Sequence, residues 1–102
     1  MTSDVFLQKL TESSEEVQIM TLASMFFKIE DIALFIDRDE EEFRQLVLYK
    51  KSSPESKAYR RGVMQMTVKL RYETARFAIA GNPQAEDEMR QYYTRQKIDE
   101  NA

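Results

Sequence analysis

Cysteine, histidine and tryptophan are all absent from the 102 residues. Without cysteine there are no disulfides, no thiolate zinc sites and no thiol nucleophile, which fits a reducing compartment. Without histidine, the commonest acid–base group and metal ligand at neutral pH is missing. Triads, zinc sites and haem ligation built on those two residues are excluded. Glycine and proline number two each, so little of the chain is free for loops. No glycine-rich phosphate loop can form around the isolated Gly62 and Gly81. No apolar run approaches the roughly 20 residues of a membrane span. The opening Met1-Thr2-Ser3-Asp4 also lacks the basic and apolar regions of a secretion signal. The expectation is a cytoplasmic chain with no membrane partner, no metal and no cofactor.

What remains is rich in charge and apolar side chains, at 32% and 42% of residues, as in a helical globular domain. The net charge of −3 hides a strong polarity. Residues 1–49 carry four Lys/Arg against eleven Asp/Glu, residues 50–79 eight against two, and residues 80–102 three against five. An acidic head therefore precedes a basic middle and a mildly acidic tail. The basic stretch can meet phosphate, or the two signs can neutralise each other within the fold or between subunits. The run Asp39-Glu40-Glu41-Glu42 resembles a metal site only on paper. Consecutive residues on a helix point about 100° apart, so these carboxylates complement a helix N-terminus instead. Nothing in these residues points to an enzyme.

Periodicity and capping residues predict an all-α fold. A short helix is expected over Asp4 to Leu10, capped by Ser3 or Asp4, with Val5, Phe6 and Leu10 on its apolar side. Ser13 or Ser14 caps a second helix that runs to about Phe27, with Val17, Met20, Leu22, Ala23 and Phe26/Phe27 facing the core. Ile29, Ile32, Ala33 and Ile36 mark a third, and Asp39 caps a fourth whose inward side is Phe43, Leu46, Val47 and Tyr49. Lys50-Lys51-Ser52-Ser53-Pro54 is the clearest linker, with Ser53 as cap and Pro54 as first residue of a long helix to Ala80. Along that helix Tyr59, Val63, Met66, Leu70, Phe77 and Ala80 form a near-heptad seam, interrupted at Glu73. Gly81-Asn82-Pro83 closes it and opens a returning helix to about Asp99, bearing Ala85, Met89, Tyr92, Tyr93 and Ile98. The expected organisation is a helix-turn-helix-like part over 1–51 and a long helical hairpin over 52–102, together one compact unit. The two arms are expected to pack along the seam. Val63, Met66, Leu70, Phe77, Met89, Tyr92 and Tyr93 are the candidate oligomer interface, intramolecular packing being the other use of the two tyrosines.

The pair of helices from Ile29 to Tyr49 has the order of a helix-turn-helix. Asp37 stands where such motifs usually carry glycine, and Arg38 follows where an apolar residue is usual. A recognition helix inserts its N-terminal residues into the major groove, and here those are four carboxylates. Only Arg44, Gln45, Lys50 and Lys51 are plausible DNA contacts from this unit. Lys57, Arg60 and Arg61 at the start of the long helix can join those lysines in one basic patch. Contacts of this kind give affinity and salt dependence without sequence information.

The order of parts resembles the small subunit of phage terminases, in its small helix-turn-helix form. Three stretches carry the resemblance. Ile32-Ala33-Leu34-Phe35-Ile36 leads through Asp37-Arg38-Asp39 to Glu42-Phe43-Arg44. Ser56-Lys57-Ala58-Tyr59-Arg60-Arg61-Gly62 is similar to the start of that family's long helix. Leu70-Arg71, followed by Ala78-Ile79-Ala80-Gly81-Asn82-Pro83-Gln84-Ala85, is similar to its hinge. The resemblance implies a non-enzymatic oligomer, assembled as a ring, that engages double-stranded viral DNA. It would deliver that DNA to a large terminase subunit holding the ATPase and nuclease. Two other roles fit the same residues: a protein–protein or phage morphogenesis module that never touches DNA, and a small helix-turn-helix transcriptional regulator.

Overall fold

The computed structural model describes residues 2–101, and they form six helices. These are α1 (Ser3–Glu12), α2 (Glu15–Ser24), α3 (Ile29–Phe35), α4 (Glu40–Tyr49), α5 (Pro54–Ile79) and α6 (Pro83–Glu100). The fold is all-α: four short helices, then the long hairpin of α5 and α6. No helix among the described residues is long and apolar enough to cross a membrane. The chain divides into two compact units between Met66 and Thr67, inside α5.

Side-chain caps set most of the helix starts. Ser14, Asp39 and Asn82 accept from the backbone N–H of Val17, Glu42 and Ala85, and Ser53 Oγ accepts from Ser56 N–H at 3.1 Å. At α1 the cap is Thr2, whose hydroxyl accepts from Val5 N–H at 3.2 Å. Neither Ser3 nor Asp4 holds that place, and the helix runs two residues past Leu10.

Three helices end the same way. In each, one residue adopts positive φ while two backbone N–H groups turn back onto the last carbonyls, the Schellman arrangement. The positive-φ residues are Phe26 (63°), Asp37 (58°) and Gly81 (95°). The paired bonds run from Phe26 and Phe27 to Ala23 and Leu22, from Asp37 and Arg38 to Leu34 and Ala33, and from Gly81 and Asn82 to Ala78 and Phe77. Asp37 thus supplies the left-handed turn for which glycine is usual, aspartate tolerating that region better than most residues. The same arrangement stops α2 at Ser24, short of Phe27, and leaves Phe26 and Phe27 exposed. Val17 is exposed as well, and Ile19 takes the buried place on α2.

The N-terminal unit holds the core. Leu10, Ile19, Leu22, Ala23, Ile29, Ile32, Ala33, Phe43, Val47 and Ala58 form one buried cluster. Tyr49 lies outside it, 72% exposed at the end of α4, because the inward stripe ends at Val47. Helix α1 docks on α2 through Leu10, and Gln18 Nε2 donates to the carbonyls of Leu10 and Thr11 at 3.0 and 3.1 Å. Arg38 replaces the usual apolar turn residue with a bridge between helices. Its guanidinium lies 2.6 Å from Glu15 at the start of α2 and 3.8 Å from Glu55 at the start of α5. Helix α5 passes close to α2 at Gly62. A Cβ at Gly62 would collide with the Met20 carbonyl oxygen and lie 3.1 Å from Ala23 Cβ.

In the second unit the arms do not close along the expected seam. Leu70 and Phe77 are about half exposed, 50% and 52%. The arms meet one flank over: the Arg71 guanidinium lies 4.1 Å from the Tyr92 ring centroid, while Thr74, Ala78, Met89 and Tyr92 are half-buried and Ala85 is buried. Short side chains let the helices approach, whereas Leu70 and Phe77 would hold them apart.

Two substitutions test these backbone constraints. Helix propensity alone favours Gly62→Ala by about 1 kcal/mol. The clash with Met20 reverses the sign, and a net loss of about 2–3 kcal/mol is expected in urea unfolding. Asp37→Gly should raise stability by about 0.5–1 kcal/mol, since it relieves a left-handed residue and removes a carboxylate from a helix C-terminus. A higher urea midpoint at unchanged slope checks it.

Candidate nucleic-acid interface

The corner between α4 and α5 brings the basic residues together. Helix α4 ends without a positive-φ residue, so its last carbonyls need other partners. They find them at the start of α5 and on the residue that caps it. Ser53 Oγ donates to Leu46 O at 3.0 Å and the fully buried Ser56 Oγ donates to Val47 O at 2.9 Å. Arg60 reaches further, with Nη2 donating to Lys51 O at 2.6 Å and Nε donating to Ser56 Oγ at 3.2 Å. The capping residue of α5 and two side chains from its first turns therefore fasten the end of the previous helix and the linker after it.

Within this frame Lys50 and Lys51 are exposed in the linker, and Lys57, Arg60 and Arg61 share one exposed face of α5, at i, i+3 and i+4. Arg44 is half-buried on α4 and Gln45 is exposed. Among the described residues none of the six cations lies in an ion pair. Five of them, Arg44 being the exception, gather where the linker meets α5, with the exposed Tyr49 phenol beside them in sequence. Gln45 is engaged differently, donating from Nε2 to Glu41 Oε1 at 3.0 Å. The acidic first turn of α4 stays exposed, and Glu40, Glu41 and Glu42 have no cationic partner among the described residues.

The sequence missed the double use of Arg60. Its charge counts toward the patch, while two of its nitrogens hold the corner. Ser53 and Ser56, seven and four residues before Arg60, are too ordinary a pattern to announce this. Tyr49, expected inward, belongs to the exposed surface. The interface candidates on the hairpin divide: Val63, Met66, Met89 and Tyr92 are half-buried, while Leu70, Phe77 and Tyr93 are exposed. Among the described residues no group of three or more acidic side chains converges as a metal site.

No family model, characterised protein or solved structure matches the chain.

Because Arg60 supports the corner, Arg60→Ala should cost about 1 kcal/mol in urea unfolding, the net worth of an ordinary hydrogen bond, since the guanidinium is exposed to solvent. Lys57→Ala, which removes a side chain with no such bond, should stay within about 0.5 kcal/mol. Amide exchange at Lys51 to Ser53 should quicken in the first variant and not in the second.

Proposed function

We propose that this chain is a non-enzymatic, self-associating adaptor that holds double-stranded DNA by its phosphates. The supporting observation is the corner itself: Lys50 and Lys51 in the linker and Lys57, Arg60 and Arg61 at the start of α5 are exposed, none ion-paired among the described residues, and the linker is fastened through Ser53, Ser56 and Arg60. Such a patch grips backbone and reads no bases. The exposed carboxylates at the start of α4 disfavour insertion of that helix into a groove, so recognition of a specific operator is the weaker role. Taken with the resemblance to phage terminase small subunits, the adaptor would serve genome packaging in a host cytoplasm. It would pass DNA to a large subunit that carries the ATPase and nuclease.

A second reading follows from the unpaired carboxylates Glu40, Glu41 and Glu42. The acidic surface of one copy would then pair with the basic corner of another, and the protein would be an interaction module without DNA. Salt separates the two readings only when DNA binding and native mass are read together.

Each phosphate contact contributes about 0.9 to the slope of log affinity against log salt. Lys57→Ala combined with Arg61→Ala should therefore flatten the slope for duplex DNA by about 2 while far-ultraviolet circular dichroism stays unchanged. An unaltered slope would take the corner out of the account, and dissociation of an oligomer by salt in the absence of DNA would favour the second reading.

A further inference from the structure

Two surfaces of the N-terminal unit carry opposite charge and do not meet. Residues 1–49 hold eleven Asp/Glu, and among the described residues only Glu15 of these is ion-paired, with Arg38. The other partner of Arg38 is Glu55. The linker lysines and the cations at the start of α5 are in no ion pair either. The acidic head and the basic middle therefore do not neutralise each other within the fold.

The acidic surface has shape as well as charge. Glu30, Asp31, Ala33, Leu34, Arg38 and Glu40 line a groove of about 320 Å³ between α3 and the start of α4. Glu30 and Asp31 stand four and three residues before Leu34, on the same face of α3. Because Glu15 and Glu55 hold the Arg38 guanidinium, the uncompensated charge of the groove is negative. Leu34 is 80% exposed there, an aliphatic side chain among carboxylates.

The basic corner is its complement. Tyr49 is 72% exposed at the end of α4, with Lys50 and Lys51 directly after it. Arg60 lies against this linker through its bond to Lys51 O. Groove on corner sets apolar against apolar and ammonium against carboxylate, whereas either surface against its own copy sets like charges together.

We infer that the groove beside Leu34 of one copy takes Tyr49, Lys50 and Lys51 of another, and that duplex DNA displaces it, since phosphates compete for the same lysines. This rests on the self-association of the second reading, and it makes that contact and DNA binding alternative states of one corner.

Native mass by analytical ultracentrifugation tests the contact. The wild-type chain should associate at low salt and come apart as salt rises. Glu30→Lys with Glu40→Lys reverses the groove, and Lys50→Glu with Lys51→Glu reverses the corner. Each variant alone should stay monomeric, and an equimolar mixture should regain association, because a reversed groove then faces a reversed corner. Asp87→Lys with Asp99→Lys, the same change of charge on α6, should associate like the wild type. Leu34→Ser changes no charge at an exposed position. It should weaken association about tenfold and raise the apparent affinity for duplex DNA at protein concentrations where the wild type associates. Circular dichroism confirms folding, and Leu34→Ser carries the test should a reversed variant misfold. Groove variants that associate like the wild type overturn the contact and leave self-association standing. Weakened association in Leu34→Ser with unchanged DNA affinity overturns the competition. A wild type monomeric at low salt overturns the contact and the second reading together, and retention of duplex DNA by the same preparation then shows the corner serving DNA alone.

Discussion

Helix α5 lies against α2 at a separation that no side chain would permit. At Gly62 a Cβ would enter the Met20 carbonyl, and Ala23 sits just beyond. A small residue on each helix lets two backbones approach, and the close approach brings Ala58 into the core with Ile19 and Leu22. The rest of the N-terminal unit is arranged around that contact. Ser56, two turns earlier on α5, reaches Val47, and Glu55 comes within range of Arg38.

Polar side chains do in this small protein what longer loops do elsewhere. The connections are short, so helix ends lie close to neighbouring helices, and the orphan carbonyls are met from outside. Gln18 serves the end of α1, and Ser53, Ser56 and Arg60 serve the end of α4 and its linker. No buried side-chain nitrogen or oxygen among the described residues lacks a partner. Arg38 belongs to the same scheme, joining the starts of α2 and α5 from the α3–α4 turn.

Local chemistry was legible from the chain. Ser14, Asp39, Ser53 with Pro54, and Asn82 with Pro83 mark helix starts because capping involves residues three apart in sequence. Gly81 marks a stop because few other residues reach its φ without strain. Tertiary choices were less visible. Val17 and Ile19 are both aliphatic, and only the position of α2 against its neighbours makes Ile19 the buried one. Phe26 and Phe27 look like core residues until the positive φ at Phe26 turns them outward. The value of Gly62 depends on a carbonyl forty-two residues away, which no local pattern encodes. In the hairpin, the periodic seam of large residues drew attention from the small and polar face that α6 covers. At the basic corner the cations themselves could be read from the sequence, while the hydrogen bonds that fix their linker could not.

The fastening of that linker bears on what an approaching anion would meet. A free loop must be immobilised as it binds, at about 1–2 kcal/mol of conformational entropy per residue. Residues 50–53 are already tied at Lys51 O by Arg60 and at Ser53 by Leu46 and Ser56. That entropic cost is met when the protein folds, not when a ligand arrives. Lys50 and Lys51 therefore project from a backbone set in advance, and their charges act as a fixed surface, not as a tether that must first be caught.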